Sequence, residues 1–441
     1  MKKVITYGSF DLFHEGHYRL LQRAKALGDY LIVGVTTEHY DHSRGKMNVV
    51  DSLMERIEHV KQSGFADEVI IEDHIGQKIE DIQKYDVDIF TVGSDWTGQF
   101  EYLKEYCDVI YLERTKDISS TLLREKKYSI IRMGLIGTGK VANKFISEAK
   151  YVSGVNVESV YSPEEENAKV FAEKYELNQY YGSLEEFWSD VDSVYITTSY
   201  ETHYDYIKSA LEHGKHVLCE KPMVINGDQA IELFDLAKEK KCILMEAIET
   251  AYCPGFMQLI NTVKSGAIGQ IKNVEAAFTR LEYPKDMDRS EYSTSIMELA
   301  SYTILPIIKF LGTDCKNIEF KSITNDEGVE IYTQAHFNYG RAMATATVGL
   351  GVKSAGQLIV SGTRGYAIVE EPWWKTDYFE IRYEDSRQNE KYFTKFLGNG
   401  LRYELSDFVS VVNGLGKKEM LFRLSREDSI KMAKIVHHFM S

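Results

Sequence analysis

His14 and His17 stand three residues apart in the run Thr6-Tyr-Gly-Ser-Phe-Asp-Leu-Phe-His-Glu-Gly-His17. Such a pair can ligate a metal or face a phosphate; a bare H-x-x-H is also compatible with a solvated helix cap. Further along, Arg114-Thr-Lys-Asp-Ile-Ser-Ser120 puts Ser119 and Ser120 where a following helix would begin, a natural phosphate position. Gly137-Thr-Gly-Lys-Val-Ala142 fits G-x-G-x-x-A, in which the missing side chains let backbone N–H groups approach a pyrophosphate. Lys221 ends the run His216-Val-Leu-Cys-Glu-Lys221, and Glu298 and Tyr302 fall at i and i+4, on one helix face. A tyrosine hydroxyl beside a lysine ammonium can protonate an alkoxide as hydride arrives.

Each of these sets needs an element to hold it. Val4 to Tyr7 reads as a short apolar strand, Tyr18 to Leu27 as a helix with Leu20, Leu21, Ala24 and Leu27 on one face, and Asp29 to Val35 as a buried strand. Strand, histidine turn, helix and strand make a βαβ unit with a parallel sheet. Ligands of such sheets lie beyond the carboxyl ends of the strands, at a helix N-terminus whose unpaired N–H groups favour phosphate. The glycine run has the same setting: a strand over Ile130 to Ile136, a helix through Lys150 and a strand over Val155 to Tyr161. At the end of that last strand an acidic residue is expected, but Ser162 stands there, suited to a ribose hydroxyl or a 2′-phosphate. Strands are expected over Ile271 to Leu281, Glu330 to Asn338, Arg341 to Leu350, Gly356 to Ser361, Tyr366 to Glu370 and Tyr378 to Tyr383. Such a series after a Rossmann half implies an α+β domain with a large open antiparallel sheet. The helix Tyr292 to Leu311 carries Glu298 and Tyr302.

At 441 residues the chain predicts two or three domains. A formal charge of −15 argues against nonspecific binding to nucleic acid or to a membrane surface, both of which need a basic face. Five cysteines, at 107, 219, 242, 253 and 315, show no metal-ligand spacing and suit a reducing compartment. With no signal-like segment and no run of about 18 apolar residues, a soluble cytoplasmic protein is expected. Lys126 to Ile130 is the whole connection between the first two patterns, with no Pro/Gly/Ser linker.

The histidine run, Val92-Gly-Ser-Asp-Trp96 and Arg114 to Ser120 together resemble the nucleotidyltransferase superfamily with the H-x-G-H signature, most of all its glycerol-3-phosphate cytidylyltransferases, over residues 1–128. The resemblance implies that His14 and His17 contact the triphosphate of CTP and stabilise the transition state. It also implies that Gly8, Ser9 and Phe10 cradle phosphate and that Asp11 orients the site. Arg44, Lys46 and Arg114 would be its basic groups, with Asp95, Thr115, Ser119 and Ser120 also on the nucleotide and Mg2+ accompanying CTP. Two departures bear on the acceptor: Ser94 stands where the family has an aspartate, and residues 47–55 lack its aromatic and histidine residues.

Gly214-Lys-His-Val-Leu-Cys-Glu-Lys-Pro-Met223, Leu244-Met-Glu-Ala-Ile-Glu-Thr-Ala-Tyr252 and Tyr403-Glu-Leu-Ser-Asp-Phe408 resemble the Gfo/Idh/MocA oxidoreductases over residues 131–441. This implies a Rossmann domain over 131–250 that binds NAD or NADP through Gly137, Gly139, Ala142, Ser162, His203 and Glu220. It implies an α+β substrate and dimerisation domain over 251–441, with Lys221, Glu298 and Tyr302 catalytic and a dimer or tetramer formed on the sheet. Ala300 replaces the family's usual glycine. Taken together, the resemblances predict a bifunctional enzyme making a CDP-activated polyol: cytidylyl transfer to a polyol or ketose phosphate, plus NAD(P)H-dependent reduction of the carbonyl, supplying bacterial surface polysaccharide. The other reading keeps the cytidylyltransferase active and makes the oxidoreductase-like module a ligand sensor or dimeriser.

Overall fold

The computed structural model describes residues 1–37, 40–41, 51–74, 76–113, 130–281, 294–414 and 423–440. Arg44, Lys46, Arg114, Thr115, Ser119 and Ser120 lie outside the described residues, as do 126–129 of the connecting segment, and so does the side chain of Asp95. The chain forms two compact units, residues Met1–Ile130 and Ile131–Ser441.

In the first unit β1 (Lys3–Gly8), β2 (Tyr30–Thr36), β3 (Glu68–Glu72), β4 (Ile89–Gly93) and β5 (Asp108–Leu112) form a parallel sheet in the order β3-β2-β1-β4-β5. Its central strands are apolar throughout because both faces are covered. Val4, Leu31 and Val33 pack with Leu21 and Ile57 on one face, while Ile5, Ile32 and Phe90 pack with Ile82 and Leu103 on the other. The helix after β1 runs Glu15–Lys25 and begins earlier than hydrophobic periodicity suggests. The reason is polar: His14 is its N-cap, and His14 Nδ1 accepts from Gly16 N at 3.0 Å.

The second unit opens with β6 (Ile131–Ile136), β7 (Val155–Tyr161), β8 (Gln179–Tyr181), β9 (Ser193–Ile196), β10 (His216–Glu220) and β11 (Leu244–Ala247). They form a parallel sheet in the order β11-β10-β9-β6-β7-β8. β12 (Ile271–Arg280), β13 (Asn317–Thr324), β14 (Glu330–Asn338), β15 (Met343–Leu350), β16 (Leu358–Gly362), β17 (Gly365–Val369), β18 (Tyr378–Tyr383) and β19 (Glu390–Phe393) form an eight-stranded sheet ordered β13-β14-β15-β12-β16-β17-β18-β19. Two of these strands, β13 and β19, escape the sequence reading. The sheet is mixed: β12 and β15 pair in parallel and its other neighbours are antiparallel. A parallel pair needs a crossover, and the helix Ser295–Leu311 supplies it, lying across β12, β14 and β15. Among the described residues no helix is long and apolar enough to cross a membrane.

Candidate active sites

In the first unit the strand order changes direction between β1 and β4, and the crevice beyond their carboxyl ends is where such sheets bind ligands. The histidine turn leaves β1 there, and the turn Ser94–Trp96 leaves β4 there. The rings of His14 and His17 stack at 3.9 Å between centroids with a 20° interplanar angle, so the two imidazoles present their edges together. Nδ1 of His14 is fixed as an acceptor by Gly16 N, which puts the proton of the neutral ring on Nε2. Phe10 meets His17 at 5.4 Å and Phe13 meets it at 5.6 Å, an apolar wall behind the pair.

The turn that delivers them is strained and clamped. Phe10 and Leu12 have φ of 51° and 48°, a left-handed conformation that costs non-glycine residues about 1 kcal/mol or more each. Asp11, fully buried, accepts from Asp51 N at 2.9 Å, and Asp51 Oδ2 accepts from Leu12 N at 2.9 Å. Arg56 is also fully buried and donates to Ser9 O at 2.9 Å, Thr36 O at 2.8 Å and Asp51 O at 3.0 Å, with Asp41 3.4 Å away. This arginine therefore ties the turn to β2 and to the helix Leu53–Gln62. A cue for that helix was the S-x-x-E pattern of Ser52 and Glu55, which forms a capping box. No local pattern announces that Arg56 points inward.

In the second unit the corresponding crevice lies between β6 and β9. Gly137, with φ 106°, needs glycine: a Cβ would sit 3.0 Å from Thr197 Oγ1. Gly139 caps the helix Lys140–Ala149, and a Cβ there would meet nothing within 4 Å, so this side of the helix N-terminus is open. Ala142 is fully buried under it. Thr197 Oγ1 is buried with no hydrogen-bond partner among the described residues. Positive φ, an open helix N-terminus and an orphaned hydroxyl fit a dinucleotide pyrophosphate. Ser162 is nearly buried at the end of β7, and its Oγ accepts from Glu164 N at 3.3 Å. The ring of His203 bridges two loops instead of opening to the crevice, with Nδ1 3.0 Å from Pro222 O and Nε2 3.0 Å from Thr198 O. Burial lowers its pKa, and the ring ties the loop after β9 to the loop after β10.

Lys221 follows β10 directly. Its ammonium donates to the backbone oxygen of Glu298 at 3.0 Å and lies 5.3 Å from the centre of the Tyr302 ring. Sequence spacing placed Glu298 and Tyr302 on one face; what Glu298 offers Lys221 is its carbonyl. Burial and the nearby Glu249 and Glu220 carboxylates push Tyr302 well above the ordinary phenol value, so it remains a protonated donor. Glu220 is likewise raised by burial, with Lys221 opposing. Its Oε1 accepts from Tyr195 OH at 2.5 Å and its Oε2 from Lys221 N at 3.2 Å. Glu246 Oε1 accepts from Met223 N at 3.0 Å and so pins the loop after Pro222.

Residues 5–126 match the cytidylyltransferase-like family, and residues 131–248 match the oxidoreductase family with an NAD-binding Rossmann fold. The glycerol-3-phosphate cytidylyltransferase of Bacillus spizizenii is 51% identical over 130 residues, which cover 30% of this chain and 100% of that protein. The scyllo-inositol 2-dehydrogenase (NADP(+)) of Bacillus subtilis is 27% identical over 321 residues, 70% of this chain and 95% of that one. The chain belongs to the cytidylyltransferase-like family in its first unit, fused to a Gfo/Idh/MocA oxidoreductase domain in its second.

The fold of a 3-ketoreductase from Actinomadura kijaniata, solved with NADP and TDP-benzene, superimposes with a TM-score of 0.60 at 23% identity, covering 69% of this chain and 95% of that one. In this fusion of a cytidylyltransferase and an NAD(P)-dependent oxidoreductase, the runs Leu244 to Tyr252 and Tyr403 to Phe408 also bring carboxyls close to Tyr302, without sequence giving them a role. Glu249 lies beside Gly400, where the helix Leu401–Val412 begins. Glu404, on that helix, is fully buried, and neither of its oxygens has a hydrogen-bond partner among the described residues. Burial raises both carboxyls, Glu249 to about 7 and Glu404 well above the usual range, with Glu220 adding to each. Trp374 stacks on Phe278 at 3.6 Å and 10°, and Phe278 meets Tyr302 edge-on at 5.3 Å. These groups come from segments far apart in sequence, so only the folded sheet brings them to Lys221.

Proposed function

We propose that the two units act on one compound, producing a CDP-activated polyol. The observation that carries this reading is the presence, in one chain, of a stacked H-x-G-H pair and a Lys221–Tyr302 pair in their family settings. In the first unit a phosphate oxygen of a polyol or ketose phosphate attacks the α-phosphorus of CTP, and pyrophosphate leaves. His14 and His17 meet the developing charge, with Mg2+ accompanying the nucleotide and Lys46 and Arg114 completing the cradle. In the second unit NAD(P)H, when bound, supplies hydride. Lys221 holds the carbonyl oxygen, and Tyr302 gives it a proton, yielding the alcohol. Ser162 at the end of β7, in place of a carboxylate that would repel a 2′-phosphate, favours NADP(H). Apolar side chains exposed on the large sheet, among them Ile323, Met343 and Phe393, support a homodimer. Supply of a polyol phosphate to bacterial surface polysaccharide follows from such a product, and the relatives named above suit a cytoplasmic enzyme.

Mass spectrometry of products formed from CTP, NADPH and a panel of triose to hexose ketose phosphates tests this. A reduced CDP-linked compound is expected from the wild type. Lys221→Ala should yield either a CDP-linked carbonyl compound, if activation comes first, or no nucleotide product, if reduction comes first. A wild type that never forms a reduced CDP-linked product across the panel overturns the shared pathway.

A further inference from the structure

Arg280 closes β12 on a particular face. Along this strand Val274, Ala276 and Phe278 are buried on the side covered by the helix Ser295–Leu311, and alternation puts Arg280 on that same side. It emerges at the strand end, exposed, where the apolar face gives way to the site. Its guanidinium lies 5.0 Å from the centre of the Phe278 ring, Phe278 meets Tyr302 at 5.3 Å, and Tyr302 carries the Lys221 ammonium at 5.3 Å. Two cations thus bracket one aromatic pair, and the positive charge of Arg280 is felt at the Tyr302 hydroxyl. Among the described residues Arg280 has no carboxylate partner, whereas Arg132, Arg382, Arg402 and Arg423 each have one. An arginine seated against an aromatic ring keeps its planar fork of N–H donors ready for an oxyanion, the geometry that suits phosphate best.

We propose that Arg280 binds a phosphate group of the oxidoreductase's substrate while Lys221 and Tyr302 hold its carbonyl oxygen. The substrate is then a phosphorylated carbonyl compound, bearing either a terminal monophosphate or the diphosphate of a CDP-linked molecule. This deepens the reading of the second unit as a carbonyl reductase and rests on it. The test uses the full chain, following NADPH oxidation with ketose phosphates, the same ketoses without phosphate, and CDP-linked carbonyl compounds. Arg280→Met should raise KM for the phosphorylated substrate about 10- to 100-fold and leave the KM of the unphosphorylated ketose and of NADPH unchanged. Arg280→Lys should recover part of the loss. Which phosphorylated class shows the effect identifies its source. A dead-end titration separates the two ideas: polyol phosphates, which cannot be reduced further, are added while the fluorescence of enzyme-bound NADPH is followed. If the wild type reduces nothing but Arg280→Met weakens this titration, the reductase reading fails and phosphate recognition stands. If the wild type reduces a phosphorylated substrate and Arg280→Met behaves like it in both assays, recognition by Arg280 is overturned. Equal weakening of phosphorylated and unphosphorylated ligands overturns it too.

Discussion

At the scale of single residues the two sites use buried polarity in opposite ways. In the first, Arg56 and Asp11 are fully buried and matched to partners, so they fix a strained turn. His17→Ala leaves that clamp in place and removes a group that meets the triphosphate in the proposed reaction. Pyrophosphate release from CTP should fall about 100-fold or more; unchanged release from a folded variant would remove His17 from the chemistry. In the second site the Glu249 carboxyl has no such partners among the described residues, and it rises from the ordinary 4.5 to about 7, first through burial and then through Glu220. A carboxyl with a higher pKa in the folded chain binds its proton more tightly when folded. Its contribution to stability is therefore complete below about pH 4.5 and is lost as pH climbs towards 7, amounting to at most about 3 kcal/mol. Glu249→Gln should raise the unfolding temperature of the second unit at pH 8 and change it little at pH 5. Equal shifts at both pH values would show that titration of Glu249 plays no part.

Among the elements, the helix Ser295–Leu311 matters most, because it presents Glu298 O and Tyr302 to Lys221. Its start is anchored by Glu330, the first residue of β14. Glu330 Oε1 accepts from Ser295 Oγ at 2.6 Å and Thr333 Oγ1 at 2.7 Å, and its Oε2 accepts from Ile296 N at 3.3 Å. Glu330→Ala leaves buried donors without an acceptor. It should cost about 2–4 kcal/mol of stability in calorimetry and lower the oxidoreductase kcat, while pyrophosphate release by the other unit holds steady. Loss of both activities together would point to general misfolding. The helix, the two parallel sheets and the lysine, tyrosine and histidine pairs were legible in sequence, because local periodicity and short motifs encode them. Arg56 and Glu330 were not: each takes its role from partners brought in by tertiary packing, and the residues around it carry no signature of those partners. The strand β13 was missed because its apolar residues are half exposed, and β19 because it is short and largely polar.

The whole molecule consists of two compact units, one matched to a cytidylyltransferase-like family and the other to an NAD-binding one. Scanning calorimetry should therefore resolve two transitions. CTP should raise one and NADP+ the other, each by the increment its concentration over Kd sets. A single transition moved equally by either ligand would mean that the units unfold as one. Within the second unit the mixed sheet has a further consequence, for the order in which the enzyme comes into being. The hairpins β13-β14-β15 join neighbours in sequence, but β12 reaches its place only by pairing residues as distant as Val274 and Ala344. Closing so long a loop is slow compared with zipping a hairpin. Phe278 and Arg280 ride on that strand, and its partner β15 leaves the ribosome only after the whole β6–β11 sheet, which carries the glycine loop. A newly made chain should thus hold its dinucleotide before it can grip a substrate, and the cofactor would be a template on which the last strand settles.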